Sequence, residues 1–227
     1  MVAFLQNSWL ALLLAAGIAY LLGSVSFAII ITKLFSGNDI RSFGSGNAGA
    51  TNVLRSQGKL PALLTFVGDL AKSVLAAYIG GLLLRHLQLG VATYDIEYMT
   101  LVGRYLAGLC CVLGHIYPVF FGFRGGKGVM TILGMTLILD WRTAVIGLTV
   151  FALVVLCWRM VSLGSIVAGV ALPISTYLLR TYLYEQPWQT VAFCTVAMAC
   201  ITAIAIVKHR ENIKRILAGT ESKIGRK

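Results

Sequence analysis

Charge is scarce in this chain of 227 residues. Only 12% of its positions are Asp, Glu, Lys or Arg, against about 25% in an ordinary soluble domain. Acid is scarcer still: 8 Asp and Glu stand against 19 Lys and Arg, a formal net charge of +11. The cysteines, Cys110, Cys111, Cys157, Cys194 and Cys200, are odd in number, lie in apolar stretches and form no CxxC pair. That pattern gives no sign of a disulfide framework or a zinc site, so they read as packing residues. Cys111 and His115, four apart, could meet as a thiol–imidazole pair, but nothing else nearby favours a thiolate. There is no low-complexity tract, no separate soluble domain and no repeat. No basic residue precedes Lys33, so the first apolar stretch lacks the charged start of a signal peptide and reads as a retained span.

What fills the chain is hydrocarbon. Hydrophobic residues make up 58% of it and the mean hydropathy is +0.85. A membrane core about 30 Å thick takes about 20 apolar residues per helical crossing. Apolar stretches run over 9–32, 60–84, 99–121, 129–139, 143–158, 163–179 and 188–207. The fold class expected is an all-α integral membrane protein with about seven transmembrane helices, residues 1–227 forming a single domain. The fourth stretch is short, so 129–158 could instead be a re-entrant hairpin, leaving five crossings. Either count is odd and puts the termini on opposite sides.

Charge assigns the sides. Segments 33–59, 122–127, 159 and 208–227 hold fourteen Lys and Arg. The opposite loops hold Arg85, Arg142 and Arg180 beside Asp95, Glu97, Asp140 and Glu185. Cytoplasmic loops concentrate Lys and Arg, which predicts a cytoplasmic C-terminus and an outside N-terminus. The net positive charge then faces anionic lipid and anionic small molecules rather than nucleic acid.

Three polar islands fall on the predicted cytoplasmic face. The first is SGNDIRSFGSGNAGATNVLRSQGK, Ser36 to Lys59. Its glycines let the backbone approach a ligand, and Ser45, Asn47, Thr51 and Asn52 supply neutral hydrogen-bonding groups. Asn47 is a candidate cap for a short helix from about Gly49 to Arg55, with Arg55 reaching back toward an anion at its start. A capped interfacial helix is the plainer reading, but it leaves the density of Asn and Thr unexplained. The second island is GHIYPVFFGFRGGKGV, Gly114 to Val129. Successive glycine N–H groups at Gly125, Gly126 and Gly128 can form an anion nest, to which Lys127 adds a point charge. The spacing is not that of a nucleotide P-loop, since Gly128 stands where Ser or Thr is required. His115 precedes this loop, with Pro118 expected to kink the helix between them. The third island is KHRENIKRILAGTESKI, Lys208 to Ile224. Its lysines and arginines serve as a positive-inside signal, whereas His209 and Asn212, three apart, share a helix face.

Two further sites carry buried charge. Asp69 and Lys72 lie three apart in the second span and can pair, either as a structural ion pair or to orient something beneath the site. Arg104, near the outer end of its span, is expected to snorkel.

Taken together, GSGNAGATNVLR, GHIYPVFFGFRGGKGV and KHRENIKRILAGTESKI resemble the PlsY family, the bacterial acyl-phosphate:glycerol-3-phosphate acyltransferases. The resemblance covers most of the chain. It implies a seven-helix enzyme of the bacterial inner membrane with its site facing the cytoplasm, using no cofactor and no metal. It implies transfer of a fatty acyl group from acyl phosphate to the 1-hydroxyl of glycerol 3-phosphate, giving lysophosphatidic acid and phosphate. The partners implied are those two substrates and membrane lipid, with the enzyme that makes acyl phosphate a candidate contact. Carried over residue by residue, Ser45, Arg55, Lys127, His209 and Asn212 would bind glycerol 3-phosphate. Thr51, Asn52, Gly125, Gly126, Lys127 and Gly128 would hold acyl phosphate, and the catalytic set would be Ser45, Asn47, His115, Lys127 and His209. Ala48, Ser26, Ala28 and Ser73 depart from the family's frequent residues and bear on helix shape more than on chemistry.

The residues suit that reaction. Acyl phosphate is a mixed anhydride, so positioning supplies much of the acceleration, up to about 7–11 kcal/mol in good cases, and preset donors stabilise the developing oxyanion. A substrate phosphate can take the hydroxyl proton; His209 and His115 are the protein alternatives. The H-x-x-x-x-D signature of acyl-CoA-using glycerolipid acyltransferases is missing, because Val91, Phe120 and Lys214 occupy its acidic position. The rival from another class is an organic-phosphate transporter. It would need related halves and broken helices at mid-membrane, which this sequence does not show.

Overall fold

The computed structural model describes residues 2–87 and 96–225, with side chains from residue 9 onward. Asp95, Val91, Arg226 and Lys227, used above in the charge and signature readings, lie outside the described residues. Every regular element among the described residues is helical, as lipid demands of a chain that must satisfy its own backbone groups. The protein is therefore an all-α integral membrane protein. It divides into two compact units, 1–139 and 140–227.

The first unit holds α1 (Val2–Ser24), α2 (Phe27–Ser36), α3 (Ala50–Gln57), α4 (Lys59–His86), α5 (Ile96–Ile116) and α6 (Val129–Leu139). Helices α1, α4 and α5 pack on one another, and α6 packs on α4 and α5. The sequence of α1 shows how. Ala11, Ala15 and Ala19 recur every four residues and are buried, while Leu10, Leu13, Leu14 and Leu21 are exposed. Small residues turn inward because apolar helices in lipid associate by close backbone approach rather than by the hydrophobic effect. The same device joins α4 to α5, where a side chain on Gly103 would collide with the Gly80 carbonyl, and α1 to α5, where one on Gly114 would collide with that of Tyr20.

Among the described residues six helical segments are long and apolar enough to cross a membrane: Trp9–Ser36, Lys59–His86, Ile96–Phe121, Trp141–Trp158, Val161–Leu183 and Trp188–Lys208. Helix α6, the seventh apolar segment, has only 11 residues. At 1.5 Å per residue it is about 16 Å long, roughly half of a hydrocarbon core. The 129–158 stretch is thus one short helix followed by one of spanning length. Pro118 does not kink α5 but follows its end: the helix stops at Ile116, and Pro118 leads a 3-10 turn, Val119–Phe121. A proline disfavours helical geometry in the residue before it. Arg104 does not simply snorkel either; its Nη1 donates to the Ile138 carbonyl at 3.2 Å, where the C-terminal end of α6 attracts a cation.

The second unit holds α7 (Trp141–Trp158), α8 (Val161–Leu178), α9 (Trp188–Lys208) and α10 (Arg210–Leu217), with a π-helical turn at Leu179–Leu183. Helix α8 packs on both α7 and α9, and α10 touches α8 and α9. Asp140 caps α7, accepting from the Arg142 amide at 3.1 Å and from Thr143 Oγ1 at 2.8 Å. Trp141, Trp158 and Trp188 sit exposed at helix ends, the placement of an interfacial aromatic belt.

Candidate functional site

In the first unit the Asn-rich loop is built around one buried amide. Asn52 Nδ2 lies 2.9 Å from the Phe43 carbonyl, 3.1 Å from that of Asn47 and 3.3 Å from that of Ile40, while its Oδ1 accepts from the Ser45 amide at 3.2 Å. Asn52, read above as an acyl-phosphate ligand, thus spends its side chain on the loop itself. Asn47 does not cap α3; Gly49 holds that position in extended backbone with no side-chain cap. With Asn52 as the anchor, Ser45 and Arg55 stay exposed and Asn47 and Thr51 half-buried, so the loop presents the other candidates rather than hiding them.

Arg41 ties this loop to the glycine loop. Its guanidinium clasps Asp39, with Nη2 to Oδ2 at 2.7 Å and Nε to Oδ1 at 3.0 Å, and the Arg41 hydrogen bonds hold the Asp39 carboxyl below its ordinary range. Its Nη1 donates to the carbonyls of Phe121 at 2.7 Å and Arg124 at 3.2 Å. In the sequence Arg41 is simply one of the fourteen Lys and Arg on the predicted cytoplasmic face.

The glycine loop folds straight back on α5. The amide of Gly125 donates to the Ile116 carbonyl and that of Gly126 to the His115 carbonyl, both at 3.1 Å. These two N–H groups therefore close the end of α5 and are not a nest for an anion, as the run of glycines had suggested. Gly126 is required for another reason. A Cβ there would strike His115 Nε2 and sit 2.6 Å from the Ala48 carbonyl. Gly128 has φ +86, a left-handed conformation that glycine adopts without strain. Helix α6 begins at Val129, so half-buried Lys127 stands just ahead of a helix N-terminus, whose dipole favours negative charge.

Beneath the loop lies a buried polar group. Asp69 and Lys72 pair as expected, Nζ to Oδ1 at 2.8 Å. Lys72 Nζ also donates to the Val25 carbonyl at 2.7 Å and lies 3.1 Å from His115 Nδ1. His115 Nδ1 is 3.5 Å from Asp69 Oδ1, and Asp69, Lys72 and His115 are all buried. Cys111, by contrast, belongs to an apolar cluster with Ala19, Ala76 and Ala107, in keeping with a packing role.

The second unit carries the third island. His209 sits where α9 breaks into α10, and both it and Asn212 are buried. His209 Nδ1 lies 2.7 Å from the Ala205 carbonyl. A carbonyl only accepts, so Nδ1 bears a proton and directs it at Ala205. Asn212 is held by Glu221, to which its Nδ2 donates at 2.8 Å. The same carboxylate accepts from Ser162 Oγ at 2.7 Å and from Arg215 Nε at 2.7 Å. Burial would raise the Glu221 carboxyl, but these three donors outweigh it and hold it below its ordinary value of 4.5. Sequence reasoning missed Glu221 and Ser162. The available signal was a lone carboxylate in a strongly basic tail. The tail is pinned once more where the Ile224 amide donates to the Arg159 carbonyl at 2.7 Å.

The sequence profile of the glycerol-3-phosphate acyltransferase family matches residues 13–219. A glycerol-3-phosphate acyltransferase of Jannaschia sp. (strain CCS1) is 39% identical over 226 residues, covering 100% of this chain and 99% of the relative. One of Clostridioides difficile (strain 630) is 42% identical over 215 residues, 95% of this chain and 96% of the relative. The crystal structure of PlsY, an integral membrane glycerol 3-phosphate acyltransferase, in its glycerol 3-phosphate form superposes with a TM-score of 0.76 at 38% identity, covering 94% of this chain and 96% of that one. Its lysophosphatidic acid form gives 0.74 at 36% identity, covering 94% and 95%. The chain belongs to the glycerol-3-phosphate acyltransferase family.

Proposed function

We propose that this membrane acyltransferase of glycerol 3-phosphate takes its acyl group from acyl phosphate and releases lysophosphatidic acid and inorganic phosphate. It acts in the bacterial inner membrane, with the site open to the cytoplasm. The observation that carries the reading is the joining of the Asn-rich loop to the glycine loop. Arg41 spans the two, and Gly126 lies against both His115 and the Ala48 carbonyl. One basin then combines Ser45, Asn47, Thr51 and Arg55 with Lys127 at the head of α6. The relative solved with glycerol 3-phosphate and with lysophosphatidic acid bound the acceptor and the product of this reaction.

In this reading Lys127 and the start of α6 hold the donor's phosphate, with Thr51 and the glycine loop shaping its seat. Ser45 and Arg55 hold glycerol 3-phosphate, with Lys127 shared between the two anions; the family resemblance assigns His209 and Asn212 to the same substrate. The 1-hydroxyl oxygen attacks the acyl carbonyl carbon, and the bond from that carbon to the phosphate oxygen breaks. The hydroxyl proton leaves to a substrate phosphate oxygen. Little covalent work is asked of the protein, since the anhydride is already activated; positioning and charge do the rest.

The test uses purified protein in lipid with glycerol 3-phosphate and either acyl phosphate or acyl-CoA. Lysophosphatidic acid should form from acyl phosphate alone. Product from acyl-CoA at the same rate would refute the donor assignment, and uptake of glycerol 3-phosphate into vesicles without product would favour transport.

A further inference from the structure

The partners of Lys72 decide how His115 can act. An ammonium has three protons and no acceptor. Lys72 Nζ has three acceptors within reach: the Val25 carbonyl at 2.7 Å, Asp69 Oδ1 at 2.8 Å and His115 Nδ1 at 3.1 Å. The Val25 carbonyl takes one proton and Asp69 Oδ1 pairs with the ammonium by charge, without an aligned hydrogen bond, while the proton aimed at His115 needs a lone pair on Nδ1. A neutral imidazole with its lone pair on Nδ1 carries its proton on Nε2. The Phe27 ring, 6.0 Å from Nζ, packs over Gly68 and closes the side on which the lysine could swing away.

The other edge of the ring meets the two loops. Nε2 lies against the α-carbon of Gly126, at the seam where Gly126 also approaches the Ala48 carbonyl. His115 is 5% exposed, and among the described residues no hydrogen bond takes its Nε2.

We propose that His115 is a neutral, tautomer-locked N–H donor at the seam between the glycine loop and the Asn-rich loop, and that Asp69 and Lys72 are positioning residues that keep it so. Lys72 occupies Nδ1, and Asp69 anchors Lys72. His115 is thereby removed from the search for a general base, because the nitrogen facing the loops carries a proton instead of a lone pair. Its ring backs Gly126 by packing, which keeps that residue, and with it Lys127, in register with Ala48 and its neighbours, and its Nε2–H stays available to a substrate oxygen. The assignment of a consequence for turnover rests on the acyl-transfer reading above; the assignment of the proton does not.

The nitrogen spectrum of histidine reads this directly. With ¹⁵N-histidine-labelled full-length protein in lipid, the ring signal lost in His115→Gln identifies the residue. Wild-type protein should show Nε2 protonated and Nδ1 bare. A protonated Nδ1, or a doubly protonated ring, overturns the proposal, and neither result requires any variant of Lys72 to fold. In Lys72→Met, Asp69 becomes the nearest partner of Nδ1, so the proton should move to Nδ1. Turnover should then fall by roughly 10²-fold, the scale set by a misplaced site, with KM for glycerol 3-phosphate unchanged. Unchanged turnover in an inserted Lys72→Met protein would sink the positioning role. His115→Gln, whose amide can still donate near Nε2, should keep more activity than His115→Ala by about tenfold, one donor's worth at the lower end of such effects; equal inactivity of the two would restore the base. Wild-type protein with the expected tautomer but no lysophosphatidic acid would refute the acyl-transfer reading and leave the tautomer standing.

Discussion

The two buried histidines of this protein, one in each unit, have the same side chain and opposite manners. His115 shows an ammonium to its Nδ1, and His209 shows a backbone carbonyl. The ammonium can only give a proton and the carbonyl can only take one. On the proposal above the first ring carries its proton on Nε2, whereas the second carries one on Nδ1. Burial is nearly equal, 5% and 4% exposed, so it cannot explain the difference; the single atom beyond Nδ1 does. A histidine's role is set less by where it sits than by what stands behind it.

Breaking the contrast begins with Lys127, the charge proposed to sit between the two substrate anions. Lys127→Ala should lower turnover by roughly 10²–10³-fold, the range seen when one preset transition-state donor is removed, in protein that inserts normally. Wild-type rates in that variant would end the proposed site. Gly126→Ala comes next, because its methyl meets the His115 ring and the Ala48 carbonyl. A shift of about 1 Å in the loop should cost about 10²-fold in turnover, read by the same product assay. His209→Asn removes the imidazole and should raise KM for glycerol 3-phosphate by about fivefold, the scale of one neutral hydrogen bond. An unchanged KM would take His209 out of the binding set.

Glu221→Gln should act more gently, because it still offers an acceptor to Asn212 and Ser162 while losing the charge that holds Arg215. The folded carboxyl lies below its ordinary value of 4.5, so its stabilisation is present above that pH and is lost as pH falls through the folded value. The melting temperature of wild type should exceed that of Glu221→Gln at neutral pH, and the gap should close in acid below 4.5. A gap independent of pH would show that Glu221 acts by shape alone. Cys111→Ala should leave turnover as it was, given its apolar surroundings; inactivation would revive a thiol mechanism.

Much of this was legible beforehand. The helical membrane fold follows from hydropathy, and the three islands from their density of Gly, Asn and Lys in an otherwise apolar chain. The Asp69–Lys72 pair follows from a spacing of three. What spacing could not show was direction. Nothing in the sequence said that the amides of Gly125 and Gly126 would turn toward α5, or that Asn52 would face its own loop. Arg41 reaches Phe121 and Arg124 across about eighty residues of chain, a distance no local pattern spans. Glu221 was hidden for a similar reason: its partner Ser162 is 59 residues away, and in a basic tail a carboxylate reads as charge balance. The short reach of α6 was visible, since 129–139 stood out as the briefest apolar stretch.

Asn52 has one more implication. Four backbone groups between residues 40 and 47 converge on its amide, so the loop gives up its freedom when the chain folds and has little left to surrender when a substrate arrives. Calorimetry on the intact protein should accordingly find a small entropic penalty for occupying this basin. Swapping that asparagine for alanine should enlarge the penalty, weakening affinity without deleting a single contact to the ligand.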